Sequence, residues 1–440
     1  MAILAFVWFL IYIINIIFEP MMVLNVISLL LWFVTVLYLF KTQTQFSFFN
    51  FMVLFGYTTT GLSCIIAEFG SYYVETQWVS YLSGATSKNL SLCFFLIYGA
   101  LLGFKCIKNF IPEKYPTVDV LNVVVVRLIP VISVFVILSL LYIYSRFGSP
   151  NDYNVDRFYY WSHIAPSWGD YLKFNLVQLS FILGMIYSMR RNIIILSIFL
   201  IGLVAQVLVG EKFTGIFSSL VFFFTPYFIV HYYKFKIFSI KNIILTASVV
   251  LVFGFIIYTS YAAIVGQRNA ADSFISRIIL QSQMWWAVDH VSDGIKSSSE
   301  IFQSFFGMSD DEGQKGIFYL MSQITPASIF NGYYEKKINF TMASPVNFIY
   351  FFGYALSFIV VIPIGFVCGI LYGFFRSAVL NYDFWIVLVF IKIHYTIVRI
   401  FTMGEMHAFT DVKFLMLCAI SFLYAMFICF IKQREKRYAF

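Results

Sequence analysis

The chain has 440 residues, of which 61% are hydrophobic and 11% are charged. A soluble domain usually carries about 25% charged residues, so this composition excludes an ordinary soluble globular protein and indicates a chain surrounded by lipid. The formal net charge is +8, but the basic residues cluster beside apolar runs. That distribution indicates membrane orientation rather than nucleic-acid binding.

Apolar runs of helical length recur along the whole chain. A hydrocarbon core of about 30 Å requires roughly 20 apolar residues in a helix, and by that length the sequence predicts twelve spans. The predicted spans are 1–18, 21–40, 46–67, 89–104, 120–144, 171–189, 192–209, 213–230, 242–265, 347–375, 382–400 and 412–431. We therefore expect an all-α polytopic membrane protein in which 1–440 is a single transmembrane domain.

The first predicted span resembles a retained helix rather than a removed signal peptide, because Met1 to Phe18 lacks a basic start and a small-residue cleavage site. The six cysteines lie in apolar runs or at their edges, and none is in a CxxC or Cys/His cluster. We therefore predict neither a disulfide framework nor a metal site.

Basic residues are concentrated in one set of alternate loops. This set holds fourteen basic and four acidic residues, whereas the opposite set holds twelve basic and seventeen acidic residues. Its basic residues are Lys41, Lys105, Lys108, Lys114, Arg190, Arg191, Lys234, Lys236, Lys241, Arg376, Lys432, Arg434, Lys436 and Arg437. Because cytoplasmic loops carry an excess of Lys and Arg, we predict that both termini are cytoplasmic.

Two longer loops lie on the predicted extracytoplasmic side, at 145–170 and 266–346. In the larger loop, Asp272 or Ser273 is suited to begin a helix that ends near Val291. Shorter helical stretches are predicted at 298–306 and 316–330. We therefore expect a partly helical cap on the outer face of the membrane.

Charged residues interrupt the eleventh predicted span. Lys392 and Arg399 are seven residues apart and share a helix face, with Tyr395 between them. Ionisable residues within a span usually face a polar cavity and mark a substrate path. Arg399 can instead extend to the interface, whereas Lys392 lies near mid-membrane. Both are candidate substrate-binding residues.

A second candidate is the turn between predicted spans seven and eight. Glu211 and Lys212 lie there between Gly210 and Gly215. A carboxylate and an ammonium in a tight turn are suited to contact a ligand. A solvated hairpin is the equally good structural interpretation.

Two arginines open the larger loop. Arg268 follows the ninth predicted span and Arg277 lies in the predicted cap helix, followed by Gln281 and Gln283. Guanidinium groups suit phosphate because they offer planar, paired donors. Amides beside Trp285 and the adjacent Trp286 suit sugars. The alternative is an interfacial amphipathic helix with ordinary Trp and Arg anchors.

A fourth candidate follows predicted span eleven. Glu405 and His407 are followed by Asp411, which is one helical turn from His407 if the segment is helical and is then suited to orient the imidazole. This is the best candidate for a general base. The alternative is a polar cap at a helix end. Common nucleotide, zinc-protease and serine-hydrolase motifs do not occur in the sequence.

Several stretches, taken with the layout of the loops, resemble a known family. The stretches are 210–213, 268–283, 340–353 and 399–404. Together with many aromatic-rich spans, one mid-sized outer loop and a larger one in the later half, they are similar to bacterial O-antigen polymerases (Wzy) and related oligosaccharide repeat-unit polymerases. The resemblance covers most of the chain.

The resemblance implies an enzyme with a GT-C-like fold in the bacterial inner membrane. Such an enzyme transfers a growing glycan from undecaprenyl diphosphate to the next lipid-linked repeat unit on the periplasmic side, and it works with a flippase and a chain-length regulator. The implied diphosphate ligands are Arg268, Arg277, Arg399 and Lys212. The implied bases are His407, Glu405 and Glu211. No metal or other cofactor is then required.

Other functions stay open at this point. A lipid-linked oligosaccharide flippase or another transporter would account for Lys392. The candidate residues, however, gather on one face, which favours a surface enzyme. An O-antigen ligase shares the donor but uses a different acceptor. A dolichyl-type glycosyltransferase would need a long acidic first outer loop, whereas the corresponding connection here is little more than Glu19-Pro20.

Overall fold

The computed structural model describes residues 1–111, 115, 117, 119–153, 155, 157–211, 213–234 and 270–438. Most of them are helical. They form two compact units. The first lies within Met1–Cys106, Lys236–Leu371 and Tyr395–Met416, and the second within Ile107–Phe235, Tyr372–His394 and Leu417–Phe440.

Helices of six residues or more provide the framework of both units. In chain order they are α1 (Ala2–Ile17), α2 (Met22–Thr42), α3 (Thr44–Phe49), α4 (Phe51–Ala67), α5 (Ala85–Phe110), α6 (Asp119–Phe147), α7 (Trp168–Arg190), α8 (Ile193–Leu208), α9 (Phe213–His231), α10 (Ala270–Leu280), α11 (Gln283–Val291), α12 (Gly316–Ile324), α13 (Ala327–Glu335), α14 (Val346–Leu380), α15 (Phe384–Met403) and α16 (Val412–Tyr438). An antiparallel hairpin, β1 (Tyr72–Tyr73) and β2 (Trp78–Val79), lies between α4 and α5.

Within the described ranges, seven helices are long and apolar enough to cross a membrane: α2, α5, α6, α7, α9, α14 and α15. Four shorter apolar helices are α1, α4, α8 and the Val412–Ile428 part of α16. These helices agree with the prediction of an all-α membrane protein. The predicted span at 242–265 lies outside the described residues, so the number twelve stays a prediction.

Paired glycines bring α5 and α14 into backbone contact in the first unit. A Cβ added at Gly103 would lie 2.0 Å from the carbonyl oxygen of Phe366, and one at Gly369 would lie 1.9 Å from that of Ala100. Each of these glycines has another four residues before it in the sequence. The four are Gly99, Gly103, Gly365 and Gly369. Such small-residue repeats let membrane helices pack closely without a hydrophobic driving force.

A similar close approach joins helices of the second unit. A Cβ at Gly184 of α7 would lie 2.0 Å from the carbonyl oxygen of Phe223 in α9. The ring of Phe223 stacks on Phe199 of α8, with centroids 3.9 Å apart. This glycine contact and this aromatic stack therefore contribute to the packing of three helices of the unit.

The backbone of α14 leaves the helical conformation near its start. Gly353 has φ 65° and ψ 173°, a left-handed conformation that favours glycine. Lys296 pairs with this part of α14, because its backbone N–H donates to the carbonyl of Phe351 at 3.0 Å. Pro363 also lies in this helix, but the non-helical residue is Gly353.

The connections at one end of the first unit form a cap, which we define as residues 68–84, 270–345 and 404–411. The predicted helix ending near Val291 is present as two helices, α10 and α11. The predicted stretches at 298–306 and 316–330 contain the helical turn 298–305, α12 and part of α13. The cap is therefore partly helical, as the sequence predicts.

Candidate functional site

A buried carboxylate holds an exposed guanidinium where α15 meets the cap. Arg399 Nη2 donates a hydrogen bond to Glu405 Oε1. The Glu405 side chain is only 6% exposed, whereas that of Arg399 is 47% exposed. Glu405 therefore orients the guanidinium, whose exposed part is accessible to an anion among the described residues.

His407 lies in the 3-10 turn before α16, against two glycines. A Cβ added at Gly307 would lie 2.3 Å from His407 Cβ, and one at Gly316 would lie 3.5 Å from His407 Nδ1. Both glycines have positive φ. Thr410 Oγ1 donates to the carbonyl of Phe306 at 2.8 Å and so joins the turn to the glycine loop. The imidazole position is therefore fixed by backbone on one side, while the residue stays partly exposed.

The predicted contact between the Asp411 carboxylate and the His407 ring is wrong. Asp411 Oδ1 accepts from the backbone N–H of Lys413 at 3.0 Å, and within the described chain His407 Nδ1 is buried without a hydrogen-bond partner. The contact between the two residues is through backbone, since Asp411 N–H donates to the His407 carbonyl at 3.1 Å. The predicted contact required a continuous α-helix, whereas the 3-10 turn that holds His407 ends at Phe409, before Asp411.

Ser344 of the cap and Asn347 at the start of α14 anchor the end of α15. Ser344 N–H donates to the carbonyl of Thr402 at 3.2 Å. Asn347 Nδ2 lies 3.5 Å from the carbonyl oxygen of Gly404, whose φ is +69°. The turn that carries Glu405 and His407 is therefore anchored at its start by hydrogen bonds from residues outside the turn.

Glu211 lies in the second unit within an ion-pair cluster. Lys173 Nζ is 2.6 Å from Glu211 Oε1, and Arg157 Nη1 is 3.5 Å from Glu211 Oε2. Lys173 also contacts Asp170 at 2.9 Å and lies 4.6 Å above the ring of Trp161. A carboxylate held by two cations is suited to a structural role, and its proposed catalytic role stays a prediction.

Lys392 and Arg399 are both exposed on α15, so the predicted shared face is present. The predicted role of Lys392 in a polar substrate path stays a prediction, since the structure shows only that this residue is exposed. The adjacent Ile391 and Ile393 are buried. Packing of those neighbours turns Lys392 away from the interior, which the spacing alone does not specify.

The other predicted ligands fall in different places. Arg277 and Gln281 are exposed on and after α10, in the first unit. Lys212 and Arg268 lie outside the described residues, so their predicted role is not tested.

The two tryptophans predicted to present flat rings to a sugar are buried. Trp285 is 0% and Trp286 is 1% exposed. Trp285 Nε1–H donates to the carbonyl of Ser344 at 3.1 Å, and Trp286 Nε1–H donates to that of Tyr81 at 2.9 Å. The two tryptophans therefore hold the cap together. An amphipathic pattern with aromatic residues is compatible with this structural role as well as with the predicted sugar contact.

Two polar clusters of the cap escaped the sequence interpretation. Lys88 of α5 forms a buried ion pair with Asp289 of α11. Glu75 of the hairpin accepts hydrogen bonds from Gln283 and Tyr333. The one local sequence signal for the Lys88–Asp289 pair was a lysine in the first turn of an apolar helix. No local sequence signal indicated the Glu75 cluster.

The family model that matches the chain describes a family of unknown function (DUF6418) and covers residues 310–418. The matched segment contains α12 to α15 and the connection with Arg399, Glu405 and His407. No curated protein and no solved structure matches the chain. The similarity is therefore confined to the later part of the sequence, where these three candidate residues lie.

Proposed function

We propose that this chain is a glycosyltransferase that polymerises lipid-linked oligosaccharide repeat units of O-antigen or a related surface polysaccharide. The growing glycan leaves undecaprenyl diphosphate and joins the next lipid-linked unit. The observation that carries the proposal is the Arg399–Glu405 pair with His407 two residues further along, at the end of an apolar helix. The resemblance of the sequence to the polymerase family supplies the donor and acceptor.

The reaction needs a cation for its leaving group. An acceptor hydroxyl oxygen attacks the anomeric carbon of the donor sugar, and the bond between that carbon and the diphosphate oxygen breaks. The lipid diphosphate departs with the electron pair. Arg399 supplies paired N–H donors for that developing charge, and Glu405 orients them in advance.

The acceptor hydroxyl must lose its proton. His407 is assigned as the base, because its ring is held against Gly307 and Gly316 and the residue is partly exposed. Glu405 is a weaker candidate because its carboxylate is buried and paired with Arg399. Glu211 is also weaker, since it is paired with Lys173.

The same proposal includes the membrane arrangement. The protein spans a bacterial inner membrane about twelve times, with a GT-C-like fold, cytoplasmic termini and the cap on the periplasmic side. The charge distribution of the loops supports this orientation. A cap at the surface brings Arg399 to the depth of lipid headgroups, where a lipid diphosphate lies. A flippase and a chain-length regulator are the proposed partners.

A transporter of lipid-linked oligosaccharides is the second candidate function. The buried Lys88–Asp289 pair favours it, because ionisable residues inside a membrane protein often mark a transport path. A ligase that uses the same donor is a third. Neither accounts as well for an exposed guanidinium at the end of α15 and a partly exposed histidine in the turn that follows it.

Deletion of the gene in its host, followed by gel analysis of the surface polysaccharide, tests the proposal. A polymerase deletion leaves single repeat units on their anchor. Loss of every repeat unit from the anchor indicates a flippase or a ligase instead. Long polysaccharide of unchanged length distribution would refute the proposed function. Complementation by the wild-type gene is the control.

A further inference from the structure

Glu75 brings together three separate parts of the cap. It lies in the turn between β1 and β2. Its Oε1 accepts a hydrogen bond from Tyr333 Oη of α13 at 2.7 Å, and its Oε2 accepts one from Gln283 Nε2 of α11. The hairpin and two helices therefore meet at one carboxylate.

The amide oxygen of Gln283 is a buried hydrogen-bond acceptor beside this cluster. A carboxylate only accepts hydrogen bonds, so the amide nitrogen of Gln283 must face Glu75 and the amide oxygen is fixed on the other branch. Gln283 is 3% exposed, and its Oε1 has no hydrogen-bond partner among the described residues. An unsatisfied buried acceptor destabilises the fold, and a ligand that donates a hydrogen bond to it would remove that cost.

Charge around the cluster narrows the class of ligand. Burial raises the pKa of Tyr333, Glu75 raises it further, and the nearby Arg277 guanidinium acts in the opposite direction. Arg277 is exposed and lies at the rim. Among the described residues, the charged groups that act on Tyr333 are one carboxylate and one guanidinium, so neither a cation nor an anion is favoured over a neutral ligand rich in hydroxyl groups. A sugar ring meets that description.

Hydrogen bonds connect this cluster to the candidate catalytic residues. Trp285, two residues after Gln283, donates to the Ser344 carbonyl, and Ser344 N–H donates to the Thr402 carbonyl. Thr402 is three residues after Arg399 on α15. A short series of hydrogen bonds therefore joins the cluster to the end of α15, which carries the proposed leaving-group site.

We propose that Glu75, Gln283 and Tyr333 form a subsite for a sugar of the oligosaccharide substrate. This inference rests on the proposed function, because that function supplies the saccharide. Glu75 and the amide oxygen of Gln283 accept hydrogen bonds from the sugar hydroxyls. Arg277 at the rim donates to the ring substituents or to a neighbouring sugar.

Saccharide binding to the full chain in lipid nanodiscs tests the subsite. The probe is the repeat-unit oligosaccharide released from the host's own surface polysaccharide by mild acid, and binding is followed by saturation-transfer NMR and titration. We expect Glu75→Gln and Gln283→Met to raise the Kd about tenfold or more, the equivalent of one hydrogen bond to a charged or buried acceptor. Unchanged Kd values in both variants would overturn the subsite.

A second tyrosine–carboxylate pair provides the matched control. Tyr319 Oη donates to Glu300 Oε1 at 2.6 Å elsewhere in the cap, and Glu300→Gln is expected to leave the Kd within about twofold. Thermal melting of each variant detects loss of fold. If Glu300→Gln weakens binding as much as Glu75→Gln does, the effect is a general loosening of the cap and the subsite is refuted.

The subsite and the proposed function fail in different ways. Unchanged polysaccharide after deletion of the gene refutes polymerase activity, whatever the saccharide titration gives. If polymerisation requires the gene but Glu75→Gln and Gln283→Met bind the probe and polymerise normally, only the subsite is refuted.

Discussion

The ammonium of Lys88 lies 2.8 Å from Asp289 Oδ2, although the two residues are 201 positions apart in the sequence. Their side chains are only 10% and 2% exposed. Tyr354 Oη donates to the other carboxylate oxygen of Asp289 at 3.0 Å. Burial raises the pKa of Asp289, and Lys88 is the strongest opposing influence. The pair therefore joins the start of α5 to cap helix α11.

Breaking this pair should destabilise the protein. Lys88→Met leaves a buried carboxylate without its cation, and we expect the free energy of unfolding to fall by about 3–5 kcal/mol. Replacing both residues by Met and Leu should cost less than the sum of the single changes, because no unpaired charge is left. Thermal melting in detergent measures all three variants.

An exposed ion pair in the cap provides a comparison with the buried Lys88–Asp289 pair. Lys315 Nζ lies 2.8 Å from Glu312 Oε1, whose side chain is 75% exposed. Lys315→Met should change stability by less than about 1 kcal/mol. Equal losses from Lys88→Met and Lys315→Met would show that burial does not set the strength of the first pair.

The glycine contact between α5 and α14 predicts a steric effect. A methyl group at Gly369 would lie 1.9 Å from the backbone oxygen of Ala100, so Gly369→Ala must push the helices apart. We expect a loss of about 1–3 kcal/mol, measured by thermal melting. Gly332 of α13 has nothing within 4 Å of an added Cβ. Gly332→Ala should be neutral or slightly stabilising, and an equal loss there would contradict the packing argument.

The sequence predicts those features of the structure that depend on residues close together in the chain. The length of an apolar run specifies a helix, so 1–18 and 21–40 correspond closely to α1 and α2. Apolar periodicity also predicted the helices of the cap, but the predicted start at Asp272 or Ser273 was wrong, because α10 begins at Ala270. These features depend on residues within a few positions of one another.

Side-chain direction was harder to predict than helix position. The spacing of Lys392 and Arg399 gave a shared face, but only the packing of the neighbouring isoleucines shows that this face is exposed. Pairing over long distances left no local pattern. Glu75 and Tyr333 meet although 258 positions separate them, and neither residue is unusual in its own segment.

Arg399 should be needed for polymerisation rather than for folding. Arg399→Ala removes the proposed donors for the leaving diphosphate, and we expect polymer formation to fall by about 100-fold or more. Arg399→Lys keeps the charge but loses the planar fork, so it should recover only part of the activity. The measurement is polymer formed per unit time from lipid-linked repeat units by the purified protein.

Lys413 is an exposed cation close in sequence to the same connection, and Lys413→Ala should leave polymer formation unchanged. Melting temperatures separate a folding defect in Arg399→Ala, which also leaves buried Glu405 without its cation. Normal polymer formation by Arg399→Ala would rule out the assigned leaving-group contact.

Asp383 predicts a dependence of stability on pH. It is fully buried between α14 and α15, and burial raises its pKa from 3.8 to about 6, with Tyr115 and Asn122 acting in the opposite direction. The folded protein therefore holds a proton that the unfolded chain releases, so this group stabilises the fold at low pH. The contribution is complete below the unfolded value of 3.8 and is lost as the pH rises through about 6.

Between about pH 5 and pH 7.5, the melting temperature of the wild type should fall by a few degrees relative to that of Asp383→Asn, which has no carboxyl group to ionise. Asp310→Asn, at an exposed cap residue, should keep the wild-type profile, and parallel profiles for wild type and Asp383→Asn would contradict the assignment.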